Sequence, residues 1–259
     1  MKIGLVLAVY NAMDYLQECL DPWIEFPCVE IACVHCCFKE NHENQEPIES
    51  ADKTHEFLQI YQKKNFIQYF EFLEKSAFEH EARNYAVKHL LEQSVDFIWT
   101  IGADEIYTIE QIHSIIKYLE KDEFTSWFSI YHKNFTFDNK IWIDGFCPPR
   151  IFRVNTPSFK LKEFFWDDDI HYTCKTTNAL SSYRHFPTKN IPKNIALINH
   201  YTWLSNERSR KKVEYQAKHF APPRGAGCSF RWNYEQNKLE FNLDYYNKVG
   251  QSLPELNYE

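Results

Sequence analysis

Two adjacent carboxylates, Asp104 and Glu105, follow at once on the apolar run Phe97-Ile-Trp-Thr-Ile101. Carboxylates at the end of a buried strand suit a hard divalent cation, because Mg²⁺ is commonly held by one or two of them together with substrate phosphates. A cation placed there stabilises the negative charge that develops on a leaving diphosphate. The plain alternative is that both acids cap the next helix or lie solvated in a loop. His200 ends another apolar stretch, Ile195-Ala-Leu-Ile-Asn-His200, and neutral imidazole is a good ligand for Mn²⁺-like metals. A hydrogen-bonded core histidine has the same signature. Arg83 and Asn84 lie on a helix that feeds the acidic strand. The guanidinium fork can reach a phosphate or a base, or it can simply pair with Glu79 or Glu81. Asp168 and Asp169, in Trp166-Asp-Asp-Asp-Ile-His171, offer a general base for an acceptor hydroxyl, against the alternative of a solvated acidic turn. Asp144 is a lesser candidate.

These groups need a frame to bring them together. Ile3 to Val9 is continuously apolar, as in a strand covered on both faces. Asn11 is placed to cap a helix over 12–20. A second strand is expected over 29–38, a polar loop over 39–50, a helix over 52–63 and a short strand over 66–70. The clearest helix is 78–92, followed by the strand that runs from Asp96 into Glu105. Thr108 opens the next helix, with Ile109, Ile112, Ile115, Ile116 and Leu119 apolar. Such alternation predicts crossover units and an α/β fold with a mainly parallel sheet. Ligands of these sheets bind beyond the carboxyl ends of the strands. That rule gathers Tyr10 with Asn11, Phe38 to Glu40, and Gly102 to Glu105. After residue 122 the pattern changes to strands over 126–137, 141–143, 150–153 and 195–200, with one helix over 206–220. The tail reads as an irregular wrap. The expected organisation is one domain with two halves, 1–122 and a mixed α+β part, 123–259.

Composition narrows the function classes. The chain of 259 residues is 44% hydrophobic and 25% charged, as a folded protein should be. A net charge of -7 lacks the basic footprint of a nucleic-acid binder, so no nucleic acid is expected as partner. The one dense basic run is Arg208, Arg210, Lys211 and Lys212, commonly a solvated helix face. No apolar stretch approaches the roughly 18 residues of a membrane helix, so no transmembrane segment is expected. With no leader pattern before them, the eight cysteines read as reduced thiols of a cytoplasmic protein. Cys33-x-x-Cys36-Cys37 has no second pair of matching spacing to complete a zinc site.

In this order the pieces resemble the GT-A fold glycosyltransferases, and among them the family 2-like enzymes. Leu5-Val-Leu-Ala-Val-Tyr-Asn11 is similar to that family's first strand and turn, and Ala82-Arg-Asn-Tyr-Ala86 to its second motif. Trp99-Thr-Ile-Gly-Ala-Asp-Glu105 is similar to a form of the DxD motif. Pro149-Arg-Ile-Phe-Arg153 and His200-Tyr-x-Trp203, followed by Arg208, Lys212 and Tyr215, close the series. The resemblance implies a GT-A (Rossmann-like) fold and a nucleoside-diphosphate sugar donor, a UDP-sugar foremost. It implies Mn²⁺ or Mg²⁺ at Asp104, with Glu105 supporting and His200 completing the shell. Tyr10, Asn11, Arg83 and Asn84 would surround the nucleotide. A glycan or other hydroxyl acceptor, activated by Asp168 or Asp169, would attack with inversion. Two departures stand out. The first acid of DxD is Gly102, and the second strand ends in Cys36-Cys-Phe-Lys-Glu40, which leaves Glu40 as the nearby carboxylate for a base or ribose contact. Gly102 motivates a rival reading, a degenerate domain that binds a nucleotide or glycan without turnover. A nucleotidyltransferase would need a Gly- and Lys-rich loop where Tyr10-Asn-Ala-Met-Asp14 stands.

Overall fold

The computed structural model describes residues 1–39, 47–156, 159–164, 170–182, 186–204, 207–219, 230–249 and 252–258. The first elements are β1 (Ile3–Val9), α1 (Leu16–Ile24), β2 (Val29–His35), α2 (Thr54–Lys63), β3 (Tyr69–Phe72), α3 (Glu79–Glu92) and β4 (Phe97–Thr100). Next come β5 (Glu105–Ile106), α4 (Ile109–Glu120), β6 (Trp127–Ser129), β7 (Tyr131–Phe137), β8 (Ile141–Phe146), β9 (Pro149–Arg153), β10 (Phe159–Phe164) and β11 (Ile170–Cys174). The last are β12 (Leu180–Ser182), β13 (Thr188–Asn190), β14 (Leu197–Leu204), α5 (Glu207–His219), β15 (Phe230–Asn233), β16 (Lys238–Phe241), α6 (Leu243–Val249) and β17 (Leu256–Tyr258). They form two compact units, Met1–Tyr131 with Cys147–Leu197, and His132–Phe146 with Ile198–Glu259.

The first unit holds a seven-stranded sheet in the order β13-β6-β9-β4-β1-β2-β3. Strand β1 is parallel to both β2 and β4, and β2 is parallel to β3. Strand β9 alone runs against its neighbours, between β4 and β6. The α/β expectation therefore holds, with one antiparallel strand let into a mainly parallel sheet. All seven residues of β1 are buried, which explains its unbroken apolar run. On one face Ala82, Ala86, Val87 and Leu90 of α3 pack on Val6, Ala8, Ala32, Val34 and Ile98. A Cβ on Gly4 would lie 2.8 Å from Leu90 Cδ1, so the glycine sets how closely α3 approaches. Alternation sends Trp99 to the other face, where it meets Trp23 of α1 edge-on at 4.7 Å.

The second unit lines up β17, β8, β7 and β14 and carries the β15–β16 hairpin. Val213 of α5, Phe230, Trp232 and Leu239 form its core, with Trp203 and Phe241 against them.

Several local expectations shift. Helix α1 begins at Leu16 rather than after Asn11. Asn11 is a turn residue at φ 47°, and it caps no helix. Strand β2 stops at His35, and β3 starts later than expected, at Tyr69. The strand expected over 126–137 is interrupted at Ile130, whose N–H turns to Pro148 O. The tail is ordered into a hairpin, a helix and a strand because Phe230, Trp232 and Leu239 have a core to enter. Strand β9 joins the first sheet, and the first unit includes 147–197.

Candidate functional site at the carboxyl ends of the parallel strands

Beyond Thr100 the chain keeps one more sheet bond, from Ile101 N–H to Val6 O at 3.1 Å, and then turns. Glu105 N–H closes that turn on Gly102 O at 3.1 Å. Trp23, Trp99 and Tyr107 interlock edge to face below it, with ring centroids 4.7 to 5.6 Å apart. The Cys19 thiol donates to Gly102 O at 3.4 Å. Burial, then the charges of Glu105 and Asp104, raise the pKa of that thiol and keep it protonated.

Both acids of the turn are buried, Asp104 to 6% and Glu105 to 1% exposure, and they have different surroundings. Arg150 grips Glu105: Nε lies 3.0 and 3.1 Å from its two oxygens, and Nη2 lies 2.6 Å from Oε1. Asp104 leans over the α-carbon of Gly102. A Cβ at residue 102 would stand 2.8 Å from Asp104 Oδ1 and 3.3 Å from Glu105 Oε1. The glycine where an acid was expected is thus the space in which the Asp104 carboxylate sits.

At the end of the neighbouring strand, the segment 47–55 folds against the β1 turn. Ser50 Oγ accepts from Asn11 N–H, Thr54 Oγ1 from Ala12 N–H and Asp52 Oδ2 from Met13 N–H, each at 2.9 Å. Asn11 Oδ1 returns a bond by accepting from Ala51 N–H at 2.8 Å. Tyr10 stacks on His35 and donates its hydroxyl to Pro47 O. His35 lies 2.7 Å from Ser50 Oγ through Nε2 and 3.0 Å from His55 through Nδ1, so one ring donates to the other. Burial, and then His55, push the pKa of His35 down to about 4 and keep it neutral.

Arg83 is buried and pairs with Glu79 one turn earlier. The Asn84 amide makes a two-way pair with the backbone of Phe164, at 3.0 and 2.7 Å. Its polar groups thus anchor the strand end that leads towards Asp168 and Asp169. Those two residues and Glu40 lie outside the described residues. His200 belongs to the second unit, whereas Asp104 and Glu105 belong to the first. Its Nδ1 is 2.7 Å from Asn134 Oδ1, which only accepts, so Nδ1 carries a proton. Phe146 stacks flat on the same ring at 5.8 Å. Among the described residues no group of three or more His, Cys, Asp or Glu side chains is gathered as for a metal ion.

Sequence reasoning gave no role to Ser50, Asp52, Thr54, His35 or Arg150. The first three belong to a short stretch whose Ser-x-Asp-x-Thr spacing is a capping pattern, and it caps a turn some forty positions earlier. Arg150 stood inside a quoted motif with no partner in view.

The profile of glycosyl transferase family 2 matches residues 49–185. No curated protein matches by sequence. Among solved structures, S. aureus TarS 1-349 aligns at 18% identity and a TM-score of 0.43, over 59% of this chain and 47% of that one. The mannosyltransferase PcManGT from Pyrobaculum calidifontis, in complex with GDP-Man and Mn2+, aligns at 11% identity and a TM-score of 0.46, over 85% of this chain and 63% of that one. The chain spans about half the length of the TarS 1-349 fragment. With more than half of its residues inside the matching profile, the chain belongs to glycosyl transferase family 2.

Proposed function

We propose that the protein transfers a sugar from a nucleoside-diphosphate donor to an acceptor hydroxyl. The observation that carries this reading is the place of Asp104. It stands just past the carboxyl end of β4, beside the parallel strand β1 whose own end bears Tyr10 and Asn11. Tyr10, Asn11 and Arg83 would flank the nucleotide, and Asp104 would hold Mn²⁺ or Mg²⁺ with the donor phosphates supplying most of the remaining ligands. Bound there, such a cation would supply charge neutralisation for the departing diphosphate. Asp168 or Asp169 takes the proton of the acceptor hydroxyl, and a single displacement inverts the anomeric centre. A UDP-sugar is the first donor to try. No described helix is long and apolar enough to cross a membrane. A cytoplasmic place for the reaction rests on the cysteines, of which, among the described residues, Cys19, Cys33, Cys36 and Cys37 are buried and outside any disulfide.

The test is nucleotide release from a panel of UDP- and GDP-sugars with Mn²⁺. Release that disappears in Asp104→Asn supports the enzyme. The grip of Arg150 on Glu105 favours a second reading, a binding module, because it leaves the turn short of a second ligand carboxylate. Donors that raise the melting temperature while no sugar is released from any of them would establish that module instead.

A further inference from the structure

We propose that Arg150 is a positioning residue, which sets the Asp104 carboxylate by holding the adjacent Glu105; this rests on the glycosyl-transfer reading of the site. Strand β9 runs antiparallel to β4, with Ile151 opposite Trp99 and Phe152 opposite Ile98. One step further along this register, Thr100 Oγ1 lies 3.4 Å from Arg150 O. The backbone of Arg150 therefore flanks the last residue of β4, and its side chain reaches the far end of the turn that follows. There its fork takes both oxygens of Glu105. Both partners are buried, Arg150 to 7% exposure. Buried bidentate pairs of this kind have one geometry, unlike a lysine contact.

The turn has few ways left to move. Its first carbonyl, on Gly102, takes bonds from Glu105 N–H and from the Cys19 thiol. Its last side chain is tied to β9. Asp104, between these fixed points, has its carboxylate directed over Gly102, where only a missing Cβ gives it room. The ion pair has a second effect on the site. Arg150 balances the charge of Glu105 from the neighbouring strand, so that carboxylate is engaged within the protein.

A buried pair can also be purely structural, and the two roles separate experimentally. An apolar pair of similar volume often replaces a buried ion pair without loss of stability. The full chain is compared with Arg150→Lys, Glu105→Gln, the double replacement Glu105→Leu with Arg150→Met, and Asp104→Asn. Melting temperature reports folding, amide exchange over 101–106 reports the turn, and electron paramagnetic resonance with Mn²⁺ alone reports the site. Arg150→Lys should stay folded, exchange the Glu105 amide at least about tenfold faster, and bind Mn²⁺ about tenfold more weakly, as when an orienting partner of a ligand is lost. The apolar pair should recover the melting temperature and leave Mn²⁺ binding weak. Wild-type exchange and Mn²⁺ affinity in Arg150→Lys, or full Mn²⁺ affinity in the apolar pair, would overturn the proposal. If Asp104→Asn leaves Mn²⁺ binding of the chain untouched, the metal reading of Asp104 fails; amide exchange, which needs no metal, then decides the role of Arg150 alone.

Discussion

Restoring the acid that the family motif leads one to expect, by Gly102→Asp, should harm this protein. The new Cβ would meet Asp104 Oδ1 at 2.8 Å and Glu105 Oε1 at 3.3 Å, both inside ordinary contact. Asp104 must then swing aside, and a third carboxylate joins a turn whose described guanidinium partner, Arg150, already grips Glu105. Two carboxylates about 4 Å apart repel by about 4 kcal/mol at an effective dielectric constant of about 20. Partial turning of the side chains towards water relieves some of this, so a loss of about 2–4 kcal/mol is expected. For a chain of this size that is a fall in melting temperature of about 5–15 °C. The assay is thermal and urea unfolding of wild type, Gly102→Ala and Gly102→Asp at pH 7.5 and pH 5. Gly102→Ala isolates the contact from the charge and should lose less. The gap between Asp and Ala variants should narrow at pH 5, as the crowded carboxylates take up a proton. A Gly102→Asp protein as stable as wild type, and binding Mn²⁺ more tightly, would refute the reasoning: the glycine would then be a lost ligand and not a space.

Two further outcomes are expected. His35 is held near pKa 4 in the folded state against about 6.5 when unfolded, so the folded protein binds fewer protons between those values. Its contribution is complete above about pH 6.5 and is lost as pH falls towards 4, at most about 3 kcal/mol in all. Urea unfolding from pH 4 to 7.5 should show this slope flattened in His35→Gln, and an unchanged slope would remove His35 as its source. Asn84→Ala deletes both bonds to Phe164 and should cost about 1–3 kcal/mol, with faster proteolysis between β10 and β11. Unaltered cleavage there would mean that the amide does not anchor that strand end.

The order of elements in the first 120 residues was legible because periodicity is local. The unbroken run of β1 and the Thr108 cap of α4, whose Oγ1 accepts from Gln111 N–H, were both in plain view. What escaped depends on partners distant in sequence. Nothing near Asn11 tells that its turn is capped by residues 50–54, so a helix start was the natural expectation. Nothing near Glu105 points to Arg150, forty-five positions on. The candidate site was readable only in its local geometry for the same reason. Asp104 was marked by an acid closing an apolar strand, whereas the value of Gly102 lies in an atom it lacks, and a motif registers that only as a mismatch.

The placement of β9 has a consequence for biosynthesis. Strand β4 is central in the finished sheet, yet the neighbour on its β9 side is made some fifty residues after it. At roughly 5–20 residues per second, the ribosome leaves that apolar edge of β4 unpaired for about 3–10 s. For those seconds the nascent chain offers an open template to any other extended segment. Slow stretches of translation between residues 100 and 153 would lengthen the exposure, and a chaperone that shields strand edges would have its greatest effect there.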